Sequence, residues 1–178
     1  MNITKPKVAL IMGSDSDYPV LAVCIGTLQK FGIEVDVQII SAHRTPDKAA
    51  DYAKNAEKNG FEVIIAAAGK AAHLPGILAA HTILPVIGIP IKTPSVEGMD
   101  ALLSIVQMPP GVPVAAVALD GALNAALLAV QILSLKHVEL KEDLRQYKAD
   151  MARKVDEKNN ELQKKLKKET GEVKYNNR

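Results

Sequence analysis

The segment Ser41-Ala42-His43-Arg44-Thr45-Pro46 holds a histidine flanked by a cation and by hydroxyls. An imidazole titrates near neutrality, so His43 is suited to taking up and returning protons. Arg44 offers a planar fork for a phosphate or a carboxylate. The plainer alternative is a loop histidine bonded to backbone beside an arginine in a salt bridge. A second segment, Gly13-Ser14-Asp15-Ser16-Asp17, presents small residues, two hydroxyls and two carboxylates. Gly13 permits close approach, and free N–H groups where a helix begins favour an anion. The carboxylates would repel phosphate, so one of them suits ribose hydroxyls better. The competing reading is a helix cap with a spare hydroxyl. A third segment, Gly69-Lys70-Ala71-Ala72-His73-Leu74-Pro75-Gly76, is small enough for a ligand to lie against main chain. There His73 can bind ligand or carboxylate, or cap a helix.

Other chemistries lack their residues. Gly69-Lys70 resembles the end of a P-loop, but Ala71 stands where Ser or Thr is needed and Ile64 where the earlier glycine belongs, which argues against ATP. No His, Cys and Asp cluster has ligand spacing, so no metal is expected. No Gly-x-Ser-x-Gly elbow is present for a hydrolase. His81, near a helix end, reads as structural, and His137, opening a charged tail, reads as solvent-exposed.

The elements that must position these loops follow from apolar spacing. Short aliphatic runs at 7–12, 34–40, 61–67, 85–89 and 112–119 read as buried strands. Helical spacing covers 20–31, with Pro19 in its first turn and Gly32 ending it. A second helix runs from Pro46 to about Asn59, with Thr45 as N-cap and Gly60 as its stop. Further helices fall at 77–81, 100–106 and 121–135. Strands alternating with helices specify a parallel sheet covered on both faces. The expected fold is a flavodoxin-like three-layer α/β/α sandwich with a five-stranded parallel sheet. All three unusual loops follow strands, so they converge on the rim where such folds bind ligands.

The chain has 178 residues, a net charge of +2, no Trp and two Phe, so aliphatic side chains and alanine must fill the core. It does not read as a nucleic-acid binder. Cys24, the single cysteine, falls inside a helix and is expected to be buried and inert. Residues 1–6 are polar, 8–12 are too few for a signal peptide, and no apolar run reaches membrane-spanning length. A cytoplasmic protein with no membrane association is expected. Beyond the core at 1–135, Leu140, Leu144, Tyr147, Met151, Val155, Leu162 and Leu166 form one narrow stripe on a long charged C-terminal helix. An extension over 136–169 of that kind suits packing on a neighbouring subunit. Residues 170–178 read as a frayed tail.

Three segments carry a resemblance. Met12-Gly13-Ser14-Asp15-Ser16-Asp17, the Ser41 to Pro46 loop and Ala71-Ala72-His73-Leu74-Pro75-Gly76 resemble the signature loops of class I N5-carboxyaminoimidazole ribonucleotide mutases. Residues 104–111 and 124–133 are similar to two further segments of that family, and the likeness spans about residues 7–135 in order. Class II relatives, which carboxylate aminoimidazole ribonucleotide with CO2, usually carry Lys in place of Arg44 and a serine-containing loop in place of 71–75. The sequence sides with class I. Departures are Lys70, where a second glycine is frequent, and a short 119–123 stretch. Lys70 would add a phosphate contact or pair with Asp15 or Asp17.

The resemblance implies a purine-biosynthesis isomerase that acts on a nucleotide without a cofactor. It implies a homo-octamer whose sites are shared between subunits. By matched position, Ser14, Ser16 and Asp17, with Gly13 beside them, would hold the ribose phosphate end. Ser41, Ala42 and Arg44 would add contacts, with Arg44 on the phosphate. Gly69, Ala71, Ala72, His73 and Leu74 would line the base and carboxylate. His43 would be the general acid and base.

Overall fold

In the computed structural model, which describes residues 5–94 and 96–169, β1 (Lys7–Met12), β3 (Val63–Gly69) and β4 (Val86–Ile91) are buried along almost their whole length. Short aliphatic strands with helices on both faces must be. β2 (Glu34–Ile39) has only exposed and partly buried residues, as an edge strand does. With β5 (Ala115–Ala116) the sheet is all parallel and ordered β2-β1-β3-β4-β5. This is the doubly wound order whose ligands sit beyond the carboxyl ends of β1 and β3.

The helices divide between the two faces. On one side α2 (Pro46–Ala56), α3 (Leu74–Ala80) and α4 (Met99–Val106) bring Ala49, Ala53, Leu78 and Ile105 against Ala9, Ile11, Ile64 and Ala66. On the other, α1 (Tyr18–Lys30) packs on α5 (Ala122–Leu133). Alanines explain how this core does without aromatics. Ala122, Ala125, Ala126 and Ala129 share the buried stripe of α5 and let backbones approach closely. Gly88 serves the same end on β4: a Cβ there would lie 2.5 Å from Ile105 Cγ2, so glycine lets α4 close onto the sheet. Cys24 is fully buried, and burial pushes its thiol up to about 12, as expected of an inert core residue.

Several boundaries differ from expectation. β5 is two residues rather than 112–119. Pro113 cannot donate to a ladder, and beyond Ala116 the pairing survives as single bonds, Val117 N–H to Gly88 O at 3.1 Å and Asp120 N–H to Pro90 O at 2.9 Å. α2 ends at Ala56, and β3 is shifted two residues toward Gly69. α3 begins at Leu74 rather than 77, with Pro75 in its first turn. Thr45 is the N-cap residue of α2, yet its side chain makes no cap bond. Its hydroxyl instead donates to Ser41 O at 2.9 Å and accepts from Ser41 N–H at 3.1 Å, closing the loop that carries His43.

The largest correction concerns His137. It is buried at 7% exposure rather than solvent-exposed, with Nε2 2.8 Å from Glu62 Oε1. Lys136 Nζ donates to the other Glu62 oxygen at 2.8 Å. Desolvation works to raise the Glu62 pKa, but the bonds from Lys136 and His137 outweigh it and hold the carboxyl below its ordinary value. A carboxyl depressed in the folded state stabilises above its unfolded pKa and loses that contribution as pH falls through its folded value. Wild type is therefore expected to exceed Glu62→Gln in urea-unfolding stability by about 1 kcal/mol above pH 4.5. The gap should close as the pH drops below that value; a gap independent of pH would contradict the assignment.

The chain divides into two compact units with the boundary between Leu140 and Lys141. α6 (Leu140–Glu169) is one helix of 30 residues. An acidic first turn, a basic last turn and the internal pairs Arg145–Glu142, Arg153–Asp150 and Lys165–Glu169 favour it. Met151, Val155 and Leu162 on its apolar stripe are exposed in the single chain. Among the described residues no helix is long and apolar enough to cross a membrane. The frayed tail expected at 170–178 lies outside the described residues.

Candidate active site

Three strand ends build the site. After β1 the chain leaves the sheet at Gly13 and turns through a short 3-10 helix, Asp15–Asp17. The Ser14 hydroxyl caps that turn by accepting from Ser16 N–H at 3.3 Å, and Ser16 Oγ lies 2.9 Å from Ser14 Oγ. After β2, Ser41 Oγ accepts from Arg44 N–H at 3.2 Å. After β3, the chain passes Gly69 and enters α3 at Leu74. Together these loops enclose a cleft of about 490 Å³. That volume suits a small-molecule ligand.

Of the residues the sequence nominates, Gly13, Ser14, Ser16, Asp17, Ser41, Ala42, His43, Arg44, Gly69, Ala71 and Leu74 line this cleft. Ala72 does not; it is fully buried behind the wall and packs in the core. His73 is the N-cap residue of α3 but makes no side-chain cap bond. Its ring instead meets His43, with His43 Nε2 2.8 Å from His73 Nδ1 and the two rings edge to face at 79°. Only one of two facing nitrogens can carry the hydrogen, so the pair shares a single proton along this bond. It leaves His43 Nδ1 as the ring nitrogen not engaged with His73. The contact spans thirty positions and joins the second loop to the third.

Arg44 joins the second loop to the first. Its Nη2 lies 3.4 Å from Gly13 O and its Nε 3.5 Å from Ser41 Oγ. Both bonds are long, so they orient the guanidinium without saturating its donors. Asp17, which lines the same cleft, is buried, and burial pushes its carboxyl above the ordinary range, with Asp15 adding to the rise against the lowering bonds from Ser16 and Ser14. As a lining residue of the cleft, Asp17 can accept from ligand hydroxyls.

Three lining residues were outside the sequence-based set: Ala68, Lys70 and Thr93. Lys70 takes φ +56, a left-handed conformation that explains why a glycine would be at home there. It is exposed and forms no salt bridge with Asp15 or Asp17. Thr93 arrives from the segment after β4, which carries no local motif. Its one sequence signal is that it follows a strand of the same parallel sheet. Among the described residues no group of three or more His, Cys, Asp or Glu side chains could hold a metal ion.

A doubly wound sheet with paired imidazoles, a poised guanidinium and hydroxyl-rich turns at one rim defines an α/β protein built to handle a small anionic ligand. Comparison with known proteins narrows this. The family model described as AIR carboxylase matches residues 7–154, and the chain belongs to that family. It is 59% identical over 163 residues to the N5-carboxyaminoimidazole ribonucleotide mutase of Pyrococcus horikoshii, covering 92% of each chain. Its identity to the protein of the same name from Thermotoga maritima is 54% over 158 residues, covering 89% of this chain and 92% of that one. The crystal structure of Treponema denticola PurE superposes with a TM-score of 0.81 at 31% identity, covering 89% of this chain and 99% of that one.

Proposed function

We propose that this protein is a mutase that converts N5-carboxyaminoimidazole ribonucleotide to 4-carboxy-5-aminoimidazole ribonucleotide in purine biosynthesis, with His43 as general acid and base. The observation that carries the reading is the contact of His43 with His73 beside a cleft that His43 and Arg44 line. It sits within a chain 59% identical to a mutase by name. In the first half-reaction the bond between the exocyclic nitrogen and the carboxyl carbon breaks, its electron pair stays on nitrogen, and protonated His43 supplies the proton to that nitrogen. CO2 is released inside the cleft. In the second half the ring carbon attacks CO2, a C–C bond forms, and the ring proton returns to His43. The imidazole ends as it began, and electrons and protons balance without a further reactant.

Arg44 and the first loop, with Gly13, Ser14 and Ser16, bind the phosphate end, and Asp17 accepts from ribose hydroxyls. Gly69, Ala71, Leu74 and His73 face the base and the migrating carboxyl group. Ala72 supports that wall from behind. Apolar Ala68, Ala71 and Leu74 suit a dry pocket that delays the escape of CO2. The protein works in the cytoplasm as a homo-octamer, with the exposed stripe of α6 in the 136–169 extension covered by neighbouring subunits.

Purified protein given the carbamate substrate is expected to form the ring-carboxylated product rapidly, at a mass in solution near eight times 19.1 kDa. Aminoimidazole ribonucleotide with bicarbonate should react slowly unless bicarbonate is very high. Efficient use of the second pair alone would assign direct carboxylation instead.

A further inference from the structure

We propose that Thr93 contacts the substrate, donating a hydrogen bond from its hydroxyl to the migrating carboxyl group. The proposal rests on the mutase reading and adds a residue to it. Thr93 lines the cleft, yet its Oγ1 is buried and makes no hydrogen bond among the described residues. Buried hydroxyls are nearly always paired, and an unpaired one at a cleft wall points to a partner that arrives with the ligand.

Its place in the cleft identifies that partner. A Cβ at Gly69 would lie 3.0 Å from Thr93 Cγ2, so Thr93 stands against the third loop, at the base end. Its neighbours Ala68, Ala71 and Leu74 offer no polar side-chain atom, and the Lys70 side chain is exposed. A carboxylate leaving one atom and joining another is steadied by a donor on this wall in addition to the His73 ring. One staggered step about Cα–Cβ carries the hydroxyl into the place of the methyl, and the methyl into that of the Cβ hydrogen, so the hydroxyl turns toward Gly69 without backbone movement.

The backbone around Thr93 is held from both sides. Lys92 N–H donates to Asp120 Oδ1 at 2.9 Å, and Asp120 N–H donates to Pro90 O at 2.9 Å. Lys92 also pairs with Glu97. Asp120 and Glu97 both take positive φ, +53 and +54, and Gly98 at +84 leaves only 3.0 Å between a would-be Cβ and Lys92 Cα. Strain of this kind around one short segment fits a side chain that must be kept in position.

The test compares Thr93→Val, which keeps shape and removes the hydroxyl, with Thr93→Ser, which keeps the hydroxyl. Thr93→Val is expected to melt at or above the wild-type temperature, since no internal bond is lost. It should bind 4-carboxy-5-aminoimidazole ribonucleotide about tenfold more weakly, with its affinity for aminoimidazole ribonucleotide unchanged. Its kcat/KM should fall by a similar factor, and Thr93→Ser should stay within about threefold of wild type on the same hydrogen-bond argument. Equal affinities of wild type and Thr93→Val for the carboxylated nucleotide would overturn the proposal. So would parallel losses of melting temperature and activity in both variants, the mark of a packing role. A wild type that binds both nucleotides without turnover would end the mutase reading yet leave the binding comparison decisive for Thr93. A wild type that binds neither would end both.

Discussion

Replacing His43 by Asn is expected to lower kcat by about 10²- to 10⁴-fold, the usual worth of a general acid–base group. KM should change little, and the melting temperature should hold. The fold should tolerate the change because His43 is exposed on a loop whose shape is set elsewhere, by Thr45 bonding back to Ser41 and by Ser41 accepting from Arg44. The catalytic loss should be large because one imidazole is asked to serve both half-reactions, and an amide can neither deliver nor remove a proton. The comparison with His73 sharpens the expectation. His73 meets His43 through Nδ1 and so can orient the ring and fix which nitrogen carries hydrogen. His73→Asn should therefore cost less in kcat than His43→Asn. Measured steady-state constants for both variants decide the matter. A His43→Asn enzyme with raised KM and intact kcat would show that the imidazole only binds.

The scaffold that presents these two rings is largely legible in the sequence, because its signals are local and repeated. Aliphatic runs such as 7–12 and 63–69 can be buried only in a sheet covered on both faces, and Gly32, at φ +71, directly follows the end of α1 as its position predicts. Eleven of the cleft residues could be named because each follows a strand of a parallel sheet, and such ends share a rim.

What escaped the sequence depends on distant partners. His137 looks like the first residue of a solvated tail until Glu62 is seen 2.8 Å away, seventy-five positions upstream. Ala72 and Ala71 are the same residue type side by side, yet the turn into α3 buries one and turns the other to the cleft. Thr93 lies in a segment without a motif, and only the absence of a partner for its hydroxyl marks it. The His43–His73 bond is of the same kind: both residues were nominated, but no spacing rule joins positions thirty apart.

Arg44→Ala is expected to raise KM for the nucleotide by about 10- to 100-fold, the worth of hydrogen bonds to a charged group. The guanidinium spans two loops through bonds of 3.4 and 3.5 Å, too long to contribute much to folding, so stability should fall little. Its strength is left for an anion, and the hydroxyl-bearing Ser14 and Ser16 line the same cleft. Arg44→Lys keeps the charge and loses the fork, so it should fall between wild type and alanine. Competition with ribose 5-phosphate separates an anion anchor from a base contact: its inhibition constant should rise in step with KM if Arg44 holds the phosphate, and stay fixed if it does not. The split between KM and kcat carries a further meaning. Binding energy gained far from the reacting atoms can be used to align them, in which case Arg44→Ala lowers kcat as well. A change confined to KM would mean that the His43 loop keeps its geometry without the bridge from Arg44 to Gly13 O. A joint loss would mean that this bridge, tightened by the bound phosphate, sets the position from which His43 reaches the ring carbon.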